Sequence, residues 1–214
     1  MLAFALACLL AVAGCSSAPA PGWTPPPPTS APEPSASNAV SNAPDSVGAA
    51  PGSPGAQFAY KFRLTSPGGS SGFAFRDRDL SFSFRPSPNA LYFQVENLQG
   101  RPVQIDWDKS QFFDATGKVG KVAHATTRWR DRYGTQALTQ VNGRDRYSDY
   151  LFSMDDLLDP GASPDQQLRR PLLPEDTSAP TYSGREFGAD LVFNIENQPR
   201  TYNIRFVVQG VIPR

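Results

Sequence analysis

The chain has 214 residues, with 20 Lys and Arg against 20 Asp and Glu, so its formal net charge is zero. That balance argues against a nucleic-acid binder, for which a strongly basic domain is expected. Both cysteines, Cys8 and Cys15, lie near the start, so an exported domain made from the rest has no disulfide framework and must hold together by burial.

From Leu2 the chain runs apolar to Leu10-Ala11-Val12-Ala13-Gly14-Cys15. This stretch is too short to span a bilayer permanently and too apolar for a soluble terminus, so residues 1–14 read as a secretory signal. Val12-Ala13-Gly14-Cys15 resembles a bacterial lipobox, with small residues before the cysteine and an abrupt change of composition at Ser16. The resemblance implies that Cys15 is acylated and becomes the first mature residue, while Cys8 leaves with the signal. It further implies a protein anchored in the bacterial envelope, at the outer membrane facing the periplasm. A non-acylated secretion signal is the alternative. Signals of this kind begin with Lys or Arg, and Met1-Leu2-Ala3-Phe4 carries no charged side chain, so a basic start upstream is expected.

Residues 15–56 are predicted to be a disordered linker. Ser16 to Ala56 is almost entirely Pro, Ala, Ser, Gly, Thr and Asn, with Trp23 as its only aromatic residue. Such a composition buries too little apolar surface to offset the entropy of ordering. A flexible chain of this length spans roughly 35–40 Å, and Pro25 to Pro28 stiffens it locally. The stretch reads as a tether between a membrane and a domain at residues 57–214.

From Gln57 the apolar residues recur at every second position. Phe58, Tyr60, Phe62 and Leu64 form the first row. Leu80, Phe82 and Phe84 follow, then Leu91, Phe93 and Val95, then Val103, Ile105 and Trp107. Leu191, Phe193 and Ile195, then Tyr202, Ile204, Phe206 and Val208, close the series. Each row predicts a strand with one buried face. Further strands are expected at residues 111–114, 118–123 and 144–152. Asn97 to Pro102 and Asn197 to Arg200 are the expected hairpin connections. Met154 to Leu158 predicts a single helical turn, capped by Ser153 and stopped near Pro160. The fold expected is all-β: a two-sheet antiparallel sandwich of immunoglobulin-like architecture without a disulfide. A small β-barrel is the alternative.

Glu96-Asn97, Val103-Gln104-Ile105-Asp106-Trp107, Ser110 to Asp114 and Gly117 also resemble a widespread group of uncharacterised bacterial envelope lipoproteins. The resemblance implies a β-sandwich and carries over no catalytic residue.

The chemistry-bearing residues are few. His124 is the only histidine, too little for a structural zinc site and without a recognisable nucleophile motif for a triad. It reads as an ordinary strand-end residue. Asp106 and Asp108 leave one strand face about 7 Å apart, a spacing that suits a glycosidase pair. Ile105 and Trp107, however, assign that face to solvent. Asp155, Asp156 and Asp159 lack the ligand spacing and glycine of a calcium loop and read as a solvated acidic turn. Thr126 to Tyr133 interleaves cations with aromatics, and Arg144, Arg146 and Tyr147 continue the theme. Arg128, Trp129, Arg130, Arg132 and Tyr133 are therefore the candidate partner-binding residues, through stacking and charge-assisted hydrogen bonds. The alternative is a hairpin with Trp129 tucked onto the sheet.

These readings converge on a lipid-anchored, non-enzymatic module that binds an envelope protein or a glycan, reaches the membrane through Cys15, and uses no cofactor, metal or nucleic acid. A glycan-acting hydrolase using Asp106 and Asp108 is one alternative, and a barrel carrying a small ligand is the other.

Overall fold

The computed structural model describes residues 49–50, 55–68 and 72–214, all within the compact unit Val40–Arg214. The predicted signal segment, Cys15 and the linker through residue 48 lie outside the described residues, as do 51–54.

Period-two patterning becomes an almost wholly β structure. The strands are β1 (Ala49–Ala50), β2 (Phe58–Ser66), β3 (Ala74–Arg76), β4 (Leu80–Pro86), β5 (Leu91–Asn97), β6 (Val103–Phe113), β7 (Val119–His124), β8 (Thr139–Val141), β9 (Arg146–Ser153), β10 (Leu157–Leu158), β11 (Leu168–Arg169), β12 (Glu186–Ile195) and β13 (Gln198–Pro213). Short 3-10 turns at Trp129–Asp131, Met154–Asp156 and Ala179–Tyr182 are the only helical pieces among the described residues. As the sequence predicts, Ser153 caps the second of these, its hydroxyl accepting from the Asp155 amide.

All strand pairs are antiparallel, in the order β1-β2-β13-β12-β6-β7-β9-β5-β4-β3, with β8 beside β6 and β10-β11 as a separate ribbon. The sheet is one strongly curled path. β7 makes the turn between its limbs: Val119–Lys121 pairs with β6, and Val122–His124 pairs with β9. The limbs meet through their apolar rows. Phe82 meets Phe193 and Tyr202 at 5.6 and 4.9 Å between ring centroids. Phe84 meets Phe206 at 5.8 Å, and Phe93 meets Trp107 at 6.4 Å.

Three local departures have physical causes. Ala49–Ala50 falls inside the stretch predicted to be disordered, yet pairs with Tyr60 and Lys61. The outer edge of β2 offers unpaired backbone groups that even an alanine pair can satisfy. The turn between β12 and β13 is Glu196–Asn197, both with positive φ, one residue earlier than expected. Such a two-residue turn matches the strand twist. Pro199 then sits in β13 short of its pairing with β2, where its missing N–H costs nothing on that side.

The third departure concerns Asp106. Val103, Ile105 and Trp107 point inward, but so do Ser110 and Phe112, so the alternation changes phase within β6. The extra residues bulge out between the pairs Asp106–Val192 and Gln111–Asp190. Ser110 fills the broken ladder, its hydroxyl donating to the Asp106 carbonyl at 2.6 Å and accepting from the Val192 amide at 3.0 Å. The expected strands before and after this point are therefore one strand. Asp106, expected in solvent, is buried, because the bulge folds Lys109 back onto its carboxylate at 2.8 Å.

Candidate functional site

After β7 the chain leaves the sheet, and a set of polar side chains pins the departing loop. The His124 amide donates to Thr127 Oγ1 at 3.0 Å, and the Thr127 amide returns a bond to the His124 carbonyl at 2.9 Å. Buried Asp149 accepts from the Ala125 amide at 3.0 Å. Gln167 Nε2 reaches the carbonyls of His124, Ala125 and Thr127 at 3.2, 3.1 and 2.6 Å. Gln136 ties the same loop to the Val122 carbonyl and to Thr127 Oγ1.

On this fixed base stands the 3-10 turn Trp129–Asp131. Trp129 packs against the outer cluster of Ala123, Phe152, Met154 and Leu157. Its free side is covered by Arg132, whose guanidinium carbon lies 3.6 Å from the Trp129 ring centroid and 4.3 Å from that of Tyr133. Arg132 Nη1 also donates to the Trp129 carbonyl at 2.8 Å. The cation is thus held between two rings, and among the described residues its remaining donors have no hydrogen-bond partner. Tyr133 is 84% exposed. Together with Met154 and Asp155 these residues line a shallow recess of about 180 Å³.

Of the five predicted residues, Trp129, Arg132 and Tyr133 come together. Arg128 turns back, its Nη1 donating to the Ala125 carbonyl at 3.0 Å. Arg130 reaches Asp165 at 3.2 Å. Arg146 pairs with Glu96 at 3.2 Å, and Arg144 sits in a turn with positive φ. Tyr147 points inward and donates to Asp149 at 2.5 Å. None of these three joins the recess.

His124 is more than a strand end. Its ring stacks on Trp107 at 4.5 Å, and its Nδ1 lies 3.2 Å from Asp149 Oδ2. Burial pushes the Asp149 carboxyl up. The contacts with His124, Tyr147 and the Ala125 and Tyr150 amides outweigh this and hold it below the usual carboxylate range. Burial, then Asp149, push the Tyr147 hydroxyl above its ordinary value. The cluster anchors the base of the loop.

The other acids are engaged. Burial alone would raise Asp106, but the hydrogen bonds from Lys109 lead the opposing effects and keep it below its ordinary value. Asp108 accepts from the Gln136 amide at 3.2 Å. Asp155 pairs with Lys118 at 2.7 Å, and Asp159 accepts from the Gly161 amide at 2.9 Å. Asp156 is pushed up to about 6, mainly by burial. Among the described residues no group of three or more His, Cys, Asp or Glu side chains is placed to hold a metal.

Sequence reasoning missed Asp149, Gln136 and Gln167, whose partners include backbone groups 14 to 43 residues away. It also missed Tyr92 and Tyr150. Those two carried a legible signal: each is an aromatic residue at an outward position of a period-two strand.

The chain matches no protein-family model, and no curated protein or solved structure is significantly similar to it.

Proposed function

We propose that this chain is a lipid-anchored bacterial envelope protein, held at the outer membrane through Cys15. Its β domain presents Trp129, Arg132 and Tyr133 to a partner and performs no reaction of its own. The observation that carries this reading is Arg132, stacked between two rings at 3.6 and 4.3 Å over an open recess. Arginine with aromatic side chains is the combination enriched at interface hot spots. The lipobox-like Val12 to Cys15 and the proline-rich stretch after it supply anchor and tether.

The curled sheet acts in this reading as a sandwich-like scaffold. Ring contacts between the facing limbs, such as Phe82 with Phe193 and Phe84 with Phe206, favour this over a ligand-carrying barrel. The hydrolase alternative needs Asp106 and Asp108 in one cleft, whereas Asp106 is buried against Lys109 and Asp108 is tied to Gln136.

Two measurements test the proposal. Cys15→Ser should move the protein from the membrane to the soluble fraction and abolish labelling by a fatty-acid probe; retention in the membrane sinks the anchor. Arg132→Ala and Tyr133→Ala should reduce capture of envelope components without changing the circular dichroism spectrum. Undiminished capture by both variants would remove the site.

A further inference from the structure

The recess is one end of a longer surface. Alternation along β9 puts Ser148, Tyr150 and Phe152 on the face opposite to Leu151. The main core takes Leu151, and the outer cluster takes Phe152 together with Trp129. Strand register carries this outer face across the sheet. Tyr150 stands opposite Tyr92, and Tyr92 opposite Arg85; Ser148 stands opposite Gln94, and Gln94 opposite Ser83. The Tyr92 and Tyr150 rings meet edge to face at 5.2 Å, and Arg85 lies 4.5 Å from the Tyr92 centroid. Arg169 lies 4.6 Å from the Phe152 centroid and interacts electrostatically with Tyr150. Exposed and half-buried rings therefore flank a buried one: Tyr92 and Tyr150 on one side and Trp129 and Tyr133 on the other, with Phe152 buried between them under Arg169, and with Arg85 and Arg132 over the outer rings.

Charge on this line is mostly positive, with Asp155 at the recess and Asp156 acting electrostatically on Arg169 as the acids beside it. None of the three arginines has a carboxylate within 4.0 Å among the described residues, whereas Glu96 is paired with Arg146 and Asp155 with Lys118. Beside the rings, the side chains of Ser83, Gln94 and Ser148 form no hydrogen bond with other described residues. They offer donors and acceptors together.

We propose that this outer face and the Trp129–Tyr133 platform form one extended binding site for an acidic polysaccharide. The inference rests on the reading of Trp129, Arg132 and Tyr133 as an interaction surface and names its ligand. Each part of the face matches a part of such a chain. The apolar C–H faces of sugar rings stack on Tyr92 and Tyr150, hydroxyls pair with Gln94 and the serines, and uronate carboxylates take the planar guanidinium groups. A lipid surface or an amphipathic helix would need continuous apolar area, and here every ring is flanked by a cation or a polar side chain. A polyphosphate chain draws its affinity from many cations, and this chain has zero net charge.

The test uses the full chain carrying Cys15→Ser, with binding to polygalacturonate measured by affinity electrophoresis. The fully methyl-esterified polymer is the neutral control, and a single-stranded oligothymidylate is the rival ligand. Polygalacturonate should bind, and esterification should weaken binding about tenfold, because the charge-assisted contacts are lost. Tyr150→Ala and Arg85→Ala should each weaken it about fivefold with an unchanged melting temperature, the loss expected of one stacking or cation contact. Tyr150→Phe should retain it. Absence of binding, equal binding of the neutral polymer, tighter binding of the oligonucleotide, or insensitivity to Tyr150→Ala would each overturn the proposal. If Arg132→Ala loses envelope capture while Tyr150→Ala keeps it, the glycan face fails and the proposed function stands. If Tyr150→Ala loses polygalacturonate while Arg132→Ala keeps it, the platform is no part of the face and its continuity is disproved.

Discussion

Trp107 shows how much one side chain can fix. It is fully buried, donates to Thr139 Oγ1 at 2.8 Å, and stacks on His124. It therefore joins the core to β8 and to the base of the site loop. Trp107→Ala should cost about 3–5 kcal/mol through the cavity it leaves, read by urea denaturation; unchanged stability would mean that the ring is not core. Asp156 acts with the opposite sign. Its carboxyl is raised to about 6 from an ordinary 3.8, mainly by burial, so the folded state holds its proton more tightly than the unfolded chain. That contribution to stability is complete below about pH 4 and is lost as pH rises through about 6. Asp156→Asn should consequently stabilise the protein at pH 8 by on the order of 2 kcal/mol and leave it unchanged at pH 4, as seen in melting temperatures across that range. The forfeited contact with Arg170, at 3.9 Å and mostly exposed, is a small loss. A variant less stable at pH 8 would reverse this assignment.

At the scale of elements, the hairpins depend on residues whose role is backbone pairing. Asn97 is buried at the end of β5, and its side-chain amide nitrogen lies 2.7, 3.1 and 3.0 Å from the carbonyls of Arg101, Val141 and Asn142. Its Oδ1 accepts from the Gln99 amide at 2.9 Å. One side chain thus closes the β5–β6 turn and holds the end of β8 against it. Asn97→Asp, which turns a donor into a charge facing carbonyls, should cost about 2–4 kcal/mol at neutral pH and recover partly in acid, measured by thermal melts. A neutral effect would place the amide elsewhere. Gly188 has a comparable role in β12, because a Cβ there would collide with the backbone carbonyl of Ile204. The rows Leu80-Phe82-Phe84 and Leu91-Phe93-Val95 were legible because alternation reports one buried face directly. The bulge after Trp107 was not. Its cause is a long-range hydroxyl bridge from Ser110 to β12, so period two misassigned Asp106. The Trp129–Tyr133 platform was legible as composition. Its division into Arg132 over the rings and Arg128 and Arg130 turned elsewhere depends on Asp165 and on carbonyls that spacing does not reveal.

Across the whole molecule, the curled sheet packs its concave side and leaves Tyr92, Tyr150 and Arg85 on its outer face. Phe62, Phe93, Phe187, Phe193 and Phe206 are fully buried, and each meets a neighbouring ring edge-on at a distance that favours aromatic pairs, while Phe187 and Phe206 also stack. A sheet of this kind carries a small apolar ligand only if its interior has room, and an interior packed to protein density has none. This separates the scaffold from a lipid carrier by experiment. Titration of the native protein with a fluorescent fatty acid should give no saturable rise in emission, because the rings already occupy the interior. Phe193→Ala, which removes the ring packed edge-on against both Phe82 and Tyr202, should destabilise the fold by about 3–5 kcal/mol. A saturable one-to-one signal from the native chain would show that the limbs part to admit a ligand and would return the carrier reading ahead of the surface one. A signal confined to Phe193→Ala would locate the binding in the engineered gap and leave the native interior filled, with recognition assigned to the rings and arginines outside.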